Sequence, residues 1–540
     1  MHPSKNIFIY VLSGMFVLAS CTKNFQELNA THNEPSSTTI GPVINGIDQS
    51  LFMGGTEQGC VHNDYYFPAT QLAATTAFSA FVLSNGVNEI WNGYYGTLQN
   101  INLAQDMINA VSDKESMNNI QAVLYILRAY KTFRVTDQFG DIPYFNAGKA
   151  YTGNSTNFRV SYDSQQLIYD SLLNDLDWAV KNINTSASPV TASGTPYQSL
   201  GSYETVLGNK MVTWQKFANS LRLRYAMQMV EKDPATAAPI ILDAINNSAG
   251  LISDGGDIAM WPASLASYDL SSRWFAYSTG GTGLSRMSST MWNMVSDDTT
   301  TAAIFDPRAA LFVETNAAGS WAPYTIGVSQ GDNVNAFTNA GGLNGQTVKN
   351  GVLYSLPNWY IIRDEWYVPE LIMTAAEVHF LKAEAYARGL GVGADLTMAQ
   401  TEYTAGITSS VNFWYNVAAA TNDATEDWAA AAPPPPTPAQ MQTLFLNPKV
   451  AFTGTTADAV TKIYAQEWLS YFRQPWLAYN LWRRTFNTPV DPNSNPSSTY
   501  TTFYRLPYAQ DEAVNNTDNY NTQIGKMGGN NSSYKVWWMK

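Results

Sequence analysis

The side chains able to do chemistry are few, and their spacing decides little. Beyond His2, the histidines are His32, His62 and His379. None belongs to an H-E-x-x-H pattern, and no G-x-S-x-G or phosphate-loop pattern occurs. Asp175 with Asp177, and Asp297 with Asp298, are the carboxylates that suggest a glycosidase pair. Sequence neighbours do not establish the separation in space which that reaction needs. Solvated carboxylates on a helix or loop explain them better. His379 lies beside apolar residues in a helical pattern and reads as structural. No catalytic residue is therefore expected. Binding chemistry is better represented. Trp261, Trp274, Phe275, Tyr277, Trp321 and Tyr324 share one Gly- and Ser-rich stretch with Asp257 and Asn333. Flat rings stack on the apolar faces of sugars while amides and carboxylates take the hydroxyls. The same rings would also serve to anchor long loops to a scaffold. Trp91 and Tyr95 are a second candidate set, at a spacing that equally fits a helix core.

Such rings must be held by something, and the pattern around them is helical. Ile90, Tyr94, Leu98, Ile101 and Ile108 recur at helical spacing, and so do Ile120, Leu124 and Leu127. Gly140, Pro143 and Gly148 stop the second run. Ile168, Leu172, Leu176, Ala179 and Ile183 mark a third helix; Trp214, Phe217, Leu221, Tyr225 and Met229 mark a fourth. Helical pattern resumes at Pro369, with Glu384 and Arg388 spaced to pair and Gly389 as a cap. Residues 397–414 are its expected partner, with Thr397 as N-cap, and 460–482 form the last helical run, divided or kinked at Pro475. Residues 429–436 read as an Ala/Pro linker, and the C-terminal stretch after the last run as loop. The expectation is a mostly α fold of tetratricopeptide-like helix pairs, over about 87–230 and 369–485, with a loop-rich ligand-facing region over about 233–368. All of 42–540 is expected to form one helical domain.

The N-terminus supplies an address. Lys5, an apolar run over 7–19 and a small-residue site read as a secretory leader over 1–20, too short for a membrane span. Leu18-Ala19-Ser20-Cys21 resembles a bacterial lipobox, in which Cys21 would carry the lipid. Residues 21–41 are polar and read as a flexible tether. The net charge is −13, or −14 once Lys5 has gone, which argues against nucleic acid and against a polybasic membrane patch. Cys60 is the second of two cysteines, so no disulfide forms if Cys21 is acylated. No cofactor is expected. Residues 253–257 are Asp- and Gly-rich as calcium loops are, but too generic to assign Ca²⁺.

Several longer motifs then fall into an order. Asp137-Gln138-Phe139-Gly140-Asp141-Ile142-Pro143-Tyr144 resembles the signature of SusD/RagB-like outer-membrane lipoproteins. Residues 162–166 with 173–177, and 214–224, are similar to that family's next helices. Asp306-Pro307-Arg308, residues 373–388, Arg483-Arg484-Thr485, Arg505-Leu506-Pro507-Tyr508 and Val536-Trp537-Trp538 follow in the family's order. Phe486 stands where the family usually has Gly, and Pro475 interrupts a helix that commonly runs through. The resemblance is to the branch described as starch-binding and outer-membrane associated. It implies a non-enzymatic, lipid-anchored, cell-surface protein that binds oligosaccharide. It further implies that the ligand passes to a SusC-like TonB-dependent barrel. A peptide-binding member of the same architecture is the alternative, and a glycan-processing hydrolase a more distant one.

Overall fold

The computed structural model describes residues 39–75, 80–261, 285–329, 337–343, 346–358, 369–420 and 433–540. Cys21, His32, Trp274, Phe275, Tyr277 and Asn333 lie outside them. The chain is mostly helical. Helix α1 (Ile40–Gln49) packs on the long α2 (Ala80–Ala110), which packs on α3 (Asn118–Phe139). Helix α4 (Gln165–Asn182) packs on both α3 and α5 (Met211–Met229). After the irregular insertion, strand β6 (Glu370–Met373) leads into α8 (Ala375–Arg388), which lies along α9 (Leu396–Ala420). Helices α11 (Thr456–Ser470) and α12 (Pro475–Thr485) complete the set. Consecutive helices therefore pack in pairs.

The helix ends follow from local chemistry. Ser164 caps α4 by accepting the Leu167 N–H, and Thr374 caps α8 by accepting the Glu377 N–H. Gly389 takes a left-handed φ of 68° at the C-terminus of α8. Pro475 divides the last run: it occupies the first turn of α12, where its missing N–H costs nothing. Phe486 adopts the left-handed φ of 48° at the end of α12, which explains why glycine suits that position.

Several expectations need correction. Residues from 233 were read as loop, yet Pro234–Asn246 is helix α6; Asp233 caps it and Pro234 opens it. Helix α9 starts at Leu396, and Asp395, not Thr397, accepts the first N–H groups. The tether reading extended to 41, but Ile40 and Gly41 already belong to α1. The C-terminal stretch contains α13 (Gln510–Asn515) and α14 (Thr517–Lys526). In the insertion, α7 (Ser289–Val295) and strands stand where loop was expected: β3 (Ser285–Arg286) pairs antiparallel with β1 (Ala74–Thr75), β2 (Ile258–Met260) with β6, and β4 (Phe337–Leu343) with β5 (Gln346–Gly351). The helix expected to start at Pro369 starts at Ala375 instead, because residues 370–373 are taken up by pairing with β2 and Thr374 supplies the cap. Helix α10 (Pro438–Leu446) opens on a Thr437–Gln440 capping box just past the Ala/Pro linker. Unforeseen too is a nine-residue π-helical segment, Gln58–Tyr66.

Ion pairs inside the helical body join helices distant in sequence. Arg224 of α5 forks onto Glu377 of α8. Arg222 reaches Asp177 on α4 and Asp243 on α6, at 3.0 and 2.7 Å. Both arginines tie helices together. Glu384 of α8 takes Arg484 through both oxygens, at 2.7 and 2.8 Å, with Arg388 and the Tyr464 hydroxyl added.

Buried Glu57 meets Arg134 and stands 3.4 Å from His62. Burial alone would raise its pKa. The Arg134 charge, the nearby His62 imidazole and Lys131 outweigh burial and hold the carboxyl at about 2, below the ordinary 4.5. A depressed carboxyl stabilises the fold above the unfolded value, and that stability is lost as pH falls. Folding stability is expected to decline between pH 4.5 and about 2, with a shallower slope in Glu57→Gln. Urea titrations across that range check it, and equal slopes would refute the assignment.

Candidate functional site

The insertion between α6 and α8 carries the rings expected to meet ligand. Trp321 is partly exposed. One side of its indole lies against buried Trp292 of α7, with centroids 5.0 Å apart and planes at 25°. Its N–H donates to Thr301 Oγ1 at 3.2 Å. The Trp292 N–H in turn donates to the Asp298 carbonyl at 3.0 Å. The outer ring is thus mounted on an inner one, and both are fixed in rotation by hydrogen bonds. Trp292 was not foreseen, because its place on an apolar helical run reads as core.

Tyr324 is buried, 6 % exposed, and edge-on to Tyr354 at 4.9 Å. Its N–H donates to the Met287 carbonyl, and its carbonyl accepts the Ser289 N–H. The turn beyond it is pinned: Asn495 N–H donates to the Ile326 carbonyl at 2.7 Å. A Cβ on Gly327, whose φ is 76°, would stand 1.9 Å from the Asn495 carbonyl oxygen. Tyr324 therefore anchors a loop. Trp261 follows strand β2 directly and is partly exposed, with its remaining surface on the core.

Trp91 is 3 % exposed. Phe139, Tyr508, Tyr95 and Tyr162 surround it at 5.1 to 6.5 Å. Its position on the inner face of α2 makes it core, with no ring face for a ligand. Asp257 also turns inward: it accepts the Ala375 N–H at 2.8 Å and so caps α8. Asp254 stands 3.5 Å from His379 Nε2, and His379 Nδ1 bonds Glu402 at 2.6 Å. That tie, between the turn at 253–257 and helices α8 and α9, is structural. Among the described residues no group of three or more His, Cys, Asp or Glu is placed to hold a metal.

The carboxylate pairs are similarly engaged. Asp175 receives the Arg128 guanidinium, with Nε at 2.9 Å. Asp177 pairs with Lys181 and Arg222. Asp297 meets Lys449 at 3.0 Å, and Asp298 caps the Thr300 N–H at 2.6 Å. Neither pair stands clear as an acid and a base. The half-buried Cys60 thiol is pushed up to about 11 by burial, then by Asp64 and Glu89, and so stays protonated.

A family model described as "Starch-binding associating with outer membrane" matches residues 32–508. The chain belongs to the SusD-like family. Solved structures with the same SusD-like fold include a chitin-binding protein, 22% identical, with a TM-score of 0.68 and coverage of 93% of this chain and 100% of that one. A SusD homologue from Parabacteroides distasonis gives 21%, 0.67, 93% and 98%. A chitin-binding SusD homologue from Flavobacterium johnsoniae gives 22%, 0.60, 92% and 98%. No curated protein matches the sequence. The SusD-like family is associated with the outer membrane and with glycan binding. Among the described residues no helix is long and apolar enough to cross a membrane.

Proposed function

We propose that this chain is a cell-surface glycan-binding lipoprotein without catalytic activity. Cys21 carries the lipid that anchors it in the outer membrane, and residues 22–38 link that lipid to the body that begins with α1. The bound oligosaccharide passes to a SusC-like TonB-dependent barrel. The observation that carries the reading is Trp321, a partly exposed ring backed by Trp292 and locked by the bond to Thr301. A ring held in place beforehand meets a sugar face with little further ordering. Trp261 is the second platform, and Trp274 and Tyr277, outside the described residues, are further proposed ligand-binding rings. Family membership supports both ligand class and location.

The test is calorimetry on unlipidated protein against neutral hexasaccharides. Chitohexaose goes first because two structural neighbours are described as chitin-binding; maltohexaose and cellohexaose follow. Binding without turnover is expected. Trp321→Ala is expected to weaken it about tenfold, the loss of one well-placed aromatic anchor. Cleavage of any of these sugars, or binding confined to peptides, would overturn the reading.

A further inference from the structure

A second concave surface lies on the helical scaffold, built from α2 and the segment that follows the 137–144 motif. Its cavity measures about 440 Å³, within the range of small-ligand sites. Asn102, Gln105, Asp106 and Asn109 line it from one face of α2, at i, i+3, i+4 and i+7. Opposite them stand Phe145 and Tyr151, each 39 % exposed.

The two rings are held outward by their backbone. The Tyr144 and Phe145 N–H groups both donate to Asp163 Oδ2, at 2.9 and 3.0 Å. The Phe145 carbonyl accepts Lys149 Nζ at 2.8 Å. Clamped on both sides, Phe145 keeps an apolar ring in water instead of folding it onto the core. The Tyr151 hydroxyl donates to Asp106 Oδ2 at 2.6 Å, which fixes the second ring against α2. Asn102 Nδ2 donates to the Ala147 carbonyl at 2.9 Å and ties the segment down again.

The polar atoms left over are mixed in kind. Asn102 Oδ1 and Asp106 Oδ1 remain as acceptors, and Asn109 Nδ2 remains as a donor. The charges balance: Lys149 and Arg128 line the cavity with Asp106, and Asp175 neutralises Arg128. An anion would find no excess of cations here, and a cation no excess of carboxylates. A polyol suits the set, because each hydroxyl both donates and accepts while the ring faces take its C–H surface.

We propose that this groove is a second glycan subsite, taking one or two neutral sugar units of the polymer that the loop face also binds. It rests on the glycan-binding reading and adds a site remote in sequence from Trp321. Two weak sites on one chain would raise the avidity for a long polymer without any new contact.

Calorimetry with the same neutral hexasaccharides, on the full chain without lipid, separates the two ideas. Two sites per chain are expected. Phe145→Ala and Asn109→Ala, both at exposed positions, are each expected to weaken one of them about tenfold and leave the other unchanged. Trp321→Ala is expected to do the converse. A single site, lost with Trp321→Ala and untouched by Phe145→Ala, would overturn the subsite and leave the main reading intact. Tighter binding of hexagalacturonate that depends on Phe145 would overturn the neutral class. No binding of any sugar would remove both.

Discussion

Glu384→Ala is expected to destabilise the fold by roughly 3–5 kcal/mol, the usual cost of removing one partner of a buried ion pair. Glu384 is fully buried, and Arg484 is 3 % exposed. Burial pushes the carboxyl up, but Arg484, then Arg388 and the Tyr464 hydroxyl, hold it below the ordinary range. Deleting the carboxylate leaves the Arg484 guanidinium inside the protein without a counter-charge. It also unties α8 from α11 and α12 together, since Tyr464 lies on α11 and Arg484 on α12. Urea unfolding followed by tryptophan fluorescence would show a lower midpoint. A double variant, Glu384→Leu with Arg484→Met, should recover much of the loss, because an apolar pair of similar volume often replaces a buried ion pair without penalty. A single-variant loss below about 1 kcal/mol, the scale of an exposed pair, would sink this assignment.

Asp137→Ala should be nearly as damaging. Its carboxylate accepts from the Tyr169 hydroxyl, from Trp538 Nε1 at 2.9 Å and from Asn480 Nδ2 at 2.9 Å. Those donors come from α4, the C-terminal segment and α12. Each buried donor left without a partner costs about 1–3 kcal/mol, so a loss of roughly 3 kcal/mol or more is expected. The pH dependence gives a second readout. Burial raises this carboxyl to about 6 from the ordinary 3.8, against the pull of Tyr169, Arg483, Trp538 and Asn480. A raised carboxyl favours the fold below the unfolded value, and that contribution is lost as pH rises through the folded one. The wild-type chain should therefore lose stability from this group between pH 3.8 and about 6, and the alanine variant should lack that slope. An unchanged slope would mean that another group titrates there.

The helices were legible because their buried positions repeat every three or four residues. Ile168, Leu172, Leu176 and Ala179 are all buried as that period requires. What failed was punctuation and long-range chemistry. Asp233-Pro234 is a helix opening, but the Gly-rich sequence beyond it carries the composition of a loop. Nothing local in 58–66 distinguishes a π-helix from an α-helix; its register is set by the residues packed around it. The candidate rings divide in the fold. Trp321 is partly exposed, whereas Trp91 and Tyr324 are buried by neighbours far away in sequence, Tyr508 and Tyr354 among them. Aromatic residues look alike in a sequence whether they face sugar or core. The motif around Asp137 was visible as a string, but its reason, a carboxylate shared by three elements, exists only in the folded chain.

The bond between Asp137 and Trp538 also orders events in time. Its partners are 401 residues apart, and the Trp468 indole bonds the Thr70 carbonyl across 398. Contacts of such separation form slowly, since a long loop must close before they contribute. As the polypeptide emerges from its N-terminal end, Asp137 is made long before Trp538 exists to satisfy it. The contacts that close the centre of the molecule therefore form only once nearly the whole chain has been made.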